Sequence, residues 1–195
     1  MTQPRDDTRD DAPATASKRG DAAVEALSGT IAEAQGSHIL GRAVTINKPA
    51  DELFAFFRDF ANLPSFMENV VSIDVLDDTR SHWVVKGPIG RVEWTARVTE
   101  EQPGRLIAWT SEEGAQIPNS GRVEFKPVEG RGTVVTATIL YDPPGGIVGK
   151  VIAKMFQREP GIQARRDLRR FKQLMETGEV ATPAMNPKQF EEMGL

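Results

Sequence analysis

The stretch YDPPGGIVGKVIAKMF, Tyr141 to Phe156, sets glycines and a Gly-Lys pair between a strand-like run and a helix-like one. With the right spacing such a loop cradles phosphate, because its backbone N–H groups converge on the anion and the lysine neutralises it. The spacing here is wrong. In a GxxxxGK[ST] loop the leading glycine position holds Pro144, and Val151 stands where a Ser or Thr hydroxyl would reach a metal ion. Gly145, Gly146 and Gly149 do not fit GxGxxG either. The structural reading is that Pro143-Pro144 cannot extend a strand ladder and Gly145-Gly146 lets the chain reverse.

Other chemistry is equally sparse. The 2 histidines, His38 and His82, are far apart, and there is no cysteine, so no His- or Cys-based metal site is expected. No nucleophile stands beside an orienting base, and no carboxylate pair occupies one face of a strand. Neither a metal nor a cofactor is expected. Two polar side chains remain. Arg42 shares strand parity with Leu40, Val44 and Ile46, and a charge on a buried face needs a partner. That partner is a ligand carboxylate or enolate, or an acidic residue at a cavity rim. Tyr141 shares parity with Val135, Ala137 and Ile139; its hydroxyl either orients a ligand carbonyl or ends the strand in water. His82 is opposite Trp83 in parity and is expected in solvent. The apolar candidates are Trp83, Trp94 and Trp109, one on each of three neighbouring strands, together with Phe125. They form an aromatic wall for a planar ligand or they pack as ordinary core. For Trp109 the pattern is ambiguous, since LIA is apolar on both faces.

These residues need elements to hold them. HILGRAVTI reads as a strand, and NKPADELFAFFRDF as a helix with Pro49 in first position and Leu53, Phe54, Phe57 and Phe60 on one face. Asn62-Leu63-Pro64 should end that helix, and SFMENV should form a second short one. A series of strands follows: VVSIDV, with Val71, Ile73 and Val75 on one face, then SHWVVKG, RVEWTARVTE, RLIAWTSE, GRVEFKPV and GTVVTATILY. Short turns between them predict an antiparallel meander, and the alternation predicts one wet face. A helical pattern through Ile147, Val151, Met155 and Phe156 precedes Pro160-Gly161, and a last helix carries Ile162, Leu168, Phe171, Leu174 and Met175 up to Gly178. The fold class is α+β: a curved antiparallel sheet of about seven strands wrapped around a long C-terminal helix, with two small helices after the first strand. The gap between sheet and helix is mostly apolar, which suits an apolar small molecule. Ile147, Val151 and Met155 are candidates for a flap over its entrance.

The chain of 195 residues suits one domain with tails. Residues 1–36 are a polar tail, expected to be disordered, with a short helical pattern at Val24, Leu27 and Ile31; residues 37–178 form the domain; residues 179–195 are a flexible tail. No apolar signal region and no membrane span is present, so a soluble, cytoplasmic protein is expected. The net charge is −4, yet residues 144–178 hold 8 basic and 3 acidic side chains. Few aromatics interleave with those charges, so nucleic acid is not an expected partner; a solvated helix face or weak contact with an anionic membrane surface accounts for them.

The segments RAVTINKPADELFAFFRDFANLPSFM, SHWVVKGPIGRVEWTARV, GRVEFKP, GRGTVVTATILYDPPGG and DLRRFKQLMETGEV resemble the START-like, or SRPBCC, superfamily, in its polyketide cyclase/dehydrase and lipid-transport branch. The resemblance covers about residues 38–182. It implies a helix-grip fold with a deep apolar cavity between sheet and C-terminal helix. Relatives bind lipids, quinones, hormones or polyketides, and only some are enzymes. Three functions stay open: a carrier or chaperone for a hydrophobic small molecule, a polyketide cyclase or dehydratase (aromatase-like), and a membrane-surface or regulatory module using the basic helix.

Overall fold

The computed structural model describes residues 38–87, 90–141 and 160–181, with backbone alone at 38–40, 141 and 160–162. The candidate flap residues Ile147, Val151 and Met155 lie outside the described residues, as do both tails to residue 37 and from residue 182.

The elements run β1 (His38–Ile46), α1 (Ala50–Arg58), a 3-10 turn (Phe60–Ser65), β2 (Val70–Val75), β3 (Arg80–Lys86), β4 (Arg91–Gln102), β5 (Leu106–Ser111), β6 (Asn119–Val128), β7 (Gly132–Tyr141) and α2 (Pro160–Thr177). The sheet has 7 strands in the order β1-β7-β6-β5-β4-β3-β2, and every neighbouring pair is antiparallel. The meander β2 to β7 therefore closes on β1, which is added beside the last strand.

Both helices pack on one face. From α1, Phe54 and Phe57 meet Phe125 of β6 edge to face, with ring centroids 5.7 and 6.0 Å away. From α2, Phe171 is fully buried, stacks on Phe66 at 4.8 Å and meets Phe57 at 5.8 Å. Lys172 of α2 donates to the Thr45 carbonyl of β1, and Glu176 accepts the Asn47 backbone N–H, so the last turns of α2 are tied to the end of β1. Gly178, at φ 79°, closes α2 with its N–H on the Leu174 carbonyl, as the sequence pattern predicts.

Several local expectations are corrected. Pro49 sits one residue before α1. Asn62-Leu63-Pro64 does not end a helix but lies inside the 3-10 turn, which Asp59 begins by accepting the Ala61 N–H; SFMENV contributes only its first residue to that turn. The face of β2 is also different. A bulge between Val70 and Ser72 shifts the register, so Val70 and Ile73 turn to the core while Val71 points outward. An extra residue in one strand inverts the alternation on one side of it. Val75 keeps the predicted parity but is 55% exposed, at the end of the edge strand β2.

One wet face holds only for part of the sheet. On β4, Arg91, Glu93 and Arg97 are exposed as expected. On β6 and β7, Ser120, Thr138 and Leu140 are buried although they lie on the face opposite to α1 and α2.

Candidate functional site

The helix-bearing face of the sheet is filled at one end and lined at the other. At the filled end Ile46, Val135, Phe125 and Ile107 are buried beneath the phenylalanines of α1. Toward the other end the same parity continues through Ala137, Val98 and the tryptophans, all of them only partly buried.

Strand register fixes where the tryptophans face. Trp83 pairs with Trp94 across β3 and β4, so both stand on one face, and their rings stack at 5.9 Å with 11° between planes. Trp109 pairs with Val98 on one side and Gly121 on the other, which puts it on that same face and resolves the ambiguity of LIA. Gly121 is needed there: a Cβ on it would come within 2.5 Å of the Trp109 ring and 2.7 Å of the Thr138 carbonyl oxygen. A glycine inside a strand marks such close approach, and this one lets the indole lie flat on the sheet.

The indoles have different polar environments. Trp83 donates to the buried Ser81 hydroxyl at 2.9 Å. Trp109 donates to Asn119 Oδ1 at 3.4 Å, while Asn119 is held by the Ser111 hydroxyl and the Ile117 carbonyl. Trp94 packs against Trp83, Val92 and the buried Ile117, and its Nε1 is buried with no acceptor among the described residues.

Arg42 pairs with Ala137, so β1 does carry it on the lined face. It is half-buried and donates to the Gly41 carbonyl at 2.6 Å. Burial, and then the neighbouring Arg165 of α2, lowers its guanidinium below the ordinary value. Tyr141 is in register with Asn119 and His38; its side chain is outside the description. Phe125 belongs to the filled end, not to the lined one, because α1 covers it. His82 is partly exposed beside Glu93, 3.6 Å away, as its parity predicts.

Asp167 escaped the sequence reading. It sits in the basic run of α2, beside the buried Leu168, and only the fold shows what it faces. Its Oδ1 accepts the backbone N–H of Glu68 at 3.3 Å and the Gln163 amide at 2.9 Å, and so fastens α2 to the loop before β2. Burial pushes its carboxyl up to about 6, against these two hydrogen bonds and Arg170. Arg170 in turn pairs with Glu68 at 3.2 Å.

An open cleft of about 580 Å³ lies at the opposite end of the sheet, among Asn47, Pro49, Asp51, Gly104, Arg105 and Thr133. It borders the β6–β7 turn, whereas Trp109 is in register with Gly121 near the start of β6. Among the described residues no cluster of His, Asp or Glu is arranged to hold a metal, and no helix is long and apolar enough to cross a membrane.

Residues 46–168 match the family model described as polyketide cyclase / dehydrase and lipid transport. An uncharacterised 17.2 kDa protein of Streptomyces lincolnensis is 28% identical over 135 residues, spanning 69% of this chain and 87% of that one. Among solved structures, a protein from Deinococcus radiodurans is 43% identical, with a TM-score of 0.60, over 73% of this chain and 99% of its own. An aromatase/cyclase from Streptomyces has a TM-score of 0.60 over 74% of this chain and 99% of its own; at 14% identity it shows a shared fold. A START superfamily protein from Mycobacterium smegmatis has a TM-score of 0.50 over 67% of this chain and 98% of its own, at 13% identity. The helix-grip expectation is borne out by these matches and by the sheet that carries α2.

Proposed function

Since the chain belongs to the polyketide cyclase/dehydrase and lipid-transport family, we propose that it binds a hydrophobic small molecule between the lined end of the sheet and α2, as a carrier or chaperone. The observation that carries this reading is the row of Trp83, Trp94 and Trp109 on one face, each only partly buried while the phenylalanine end is packed solid. Aromatic surface left partly exposed costs solvation unless something apolar occupies it. The stacked Trp83 and Trp94 rings, with Trp109 farther along the same face, present flat surface to a planar or isoprenoid molecule at little conformational cost.

Native mass spectrometry of protein purified gently from its host tests the reading. The expected result is a mass increment that disappears on denaturation and is recovered as an organic-soluble compound. Protein that is consistently empty, and whose thermal stability no lipid or quinone alters, overturns it.

A second reading, an aromatase-like cyclase or dehydratase, is favoured by Arg42. A half-buried guanidinium on the lined face suits a developing enolate oxygen. Arg42→Ala should then lower turnover of a polyketide-like substrate by about 100-fold with binding retained, and Tyr141→Phe should lower it further if the phenol orients the carbonyl. Turnover unaffected by both substitutions removes the enzyme reading and leaves the carrier.

A further inference from the structure

We infer that residues 22–34 dock as a helix on the outer face of the sheet, over β6, β7 and β1, and brace it there. The inference is independent of what the inner face binds.

The outer face changes character along its width. On β4 it is charged, with Arg91, Glu93 and Arg97 exposed. On β7 it carries Val134, Thr136, Thr138 and Leu140, and beside them on β1 Gly41, Ala43 and Thr45, none of them charged. Burial follows this stripe: Thr138 is 1% exposed, Leu140 2%, and Ser120, opposite Leu140 on β6, 7%. A face without charge and almost without exposure reads as a covered surface, since a sheet face left to water alternates in polar side chains. Neither α1, the 3-10 turn nor α2 is the cover, because all three pack on the inner face.

The segment best placed to cover it precedes β1. Residues 22–34, outside the described residues, read AAVEALSGTIAEA, with Val24, Leu27 and Ile31 on one side of a helix. A helix of this length is marginal in water and needs an apolar surface to form on. Only Gln35, Gly36 and Ser37 separate it from β1. Three extended residues reach about 10 Å, the span from β1 across β7 to β6. Charge agrees: residues 20–37 hold Asp21, Glu25 and Glu33 and no basic side chain, while the β6 border of the stripe, Arg122, Glu124 and Lys126, is net basic. The other segments suit the place less well. Residues 142–159 lead into α2, on the inner face. Residues 182–195 follow α2, whose last turns are tied to the far end of β1, and Pro183 and Pro187 interrupt them.

The chain has no cysteine, so introduced pairs report contact without background. In the full chain, Leu27→Cys is combined in turn with Thr136→Cys, Thr138→Cys and Ser120→Cys on the outer face, and with Ala137→Cys on the inner face as control. Phe190→Cys with Thr138→Cys represents the C-terminal tail. Disulfides close only where Cα atoms approach within about 7 Å. Under mild oxidation at least one outer-face pair should close within a single chain about tenfold faster than the control. Closure no faster than the control, a faster Phe190 pair, or disulfides joining two chains overturns the inference. A cysteine at a buried position can disturb the sheet, so hydrogen exchange on the unaltered protein is the second readout. Amides of residues 22–34 should exchange at least about tenfold more slowly than an unstructured chain, and Leu27→Asp should restore the unstructured rate while β4 keeps its protection. Unstructured rates in the unaltered protein, or protection that Leu27→Asp leaves intact, also overturn it.

Discussion

Asp167 shows how one buried carboxylate can oppose and organise the fold at once. Its ordinary value of 3.8 applies to the unfolded chain, and burial pushes it up to about 6 in the folded one. Below about pH 4 both states hold the proton, and stability is complete in this respect. Between pH 4 and 6 the unfolded chain ionises while the folded chain keeps its proton, so stability falls as pH rises. Above about pH 6 the whole penalty is in place, on the order of 3 kcal/mol. An asparagine keeps an oxygen for the Glu68 N–H and the Gln163 amide without the charge. Asp167→Asn should therefore be more stable than wild type at pH 7 by about 1 kcal/mol, with the advantage vanishing near pH 4. Melting temperatures of both proteins from pH 4 to 8 check this. Parallel curves would mean that the carboxylate is better solvated than its position implies.

At the scale of elements, α2 is held by one aromatic contact more than by any other. Phe171 is fully buried and touches Phe56, Phe57 and Phe66, which belong to α1 and to the segment after the 3-10 turn. Phe171→Ala should cost about 3–5 kcal/mol, since a ring of this size leaves a cavity that three neighbouring rings cannot fill. Urea unfolding gives the value, and a loss below about 1 kcal/mol would mean that the helix is anchored elsewhere. This packing was legible in the sequence because the periodicity of α1 leaves a phenylalanine-rich face and that of α2 sets Leu168, Phe171, Leu174 and Met175 on one side. The β4 face was legible for the same reason, in the run Val92, Trp94, Ala96, Val98. What escaped were effects of pairing. The bulge at Val71 depends on what β3 offers opposite it. The side of Trp109 depends on Val98 and Gly121 in other strands, although a glycine between Asn119 and Val123 does signal close approach. Asp167 depends on a loop about a hundred residues earlier in the chain. The site followed the same division: the identities of the tryptophans were readable, but not which acceptor each indole meets, since Ser81 and Asn119 carry no signal until their strands are in register.

Across the whole molecule, charge decides whether the basic stretch before and along α2 has a target. Of its eight basic residues, Lys150, Lys154 and Arg158 lie outside the described residues. Two others are engaged: Arg170 with Glu68, and Lys172 with Glu176 and the Thr45 carbonyl. Arg165, Arg166 and Arg169 are exposed. A basic side chain at an anionic membrane surface contributes about 1 kcal/mol, so three give roughly 3 kcal/mol, which corresponds to millimolar affinity. The net charge of −4 works against even that. The expected result in sedimentation with vesicles of mixed phosphatidylcholine and phosphatidylserine is retention at low ionic strength and none at about 0.15 M salt, where screening sets in within about 8 Å. Neutral vesicles should retain nothing at either. Affinity of tens of micromolar at physiological salt would need about twice as many charges at the surface. That outcome would bring Lys150, Lys154 and Arg158 into the contact and would make the membrane the route by which a hydrophobic cargo arrives. Millimolar affinity leaves α2 as a solvated helix whose other face holds the fold together, and the cargo must then reach the tryptophan row from solution or from another protein.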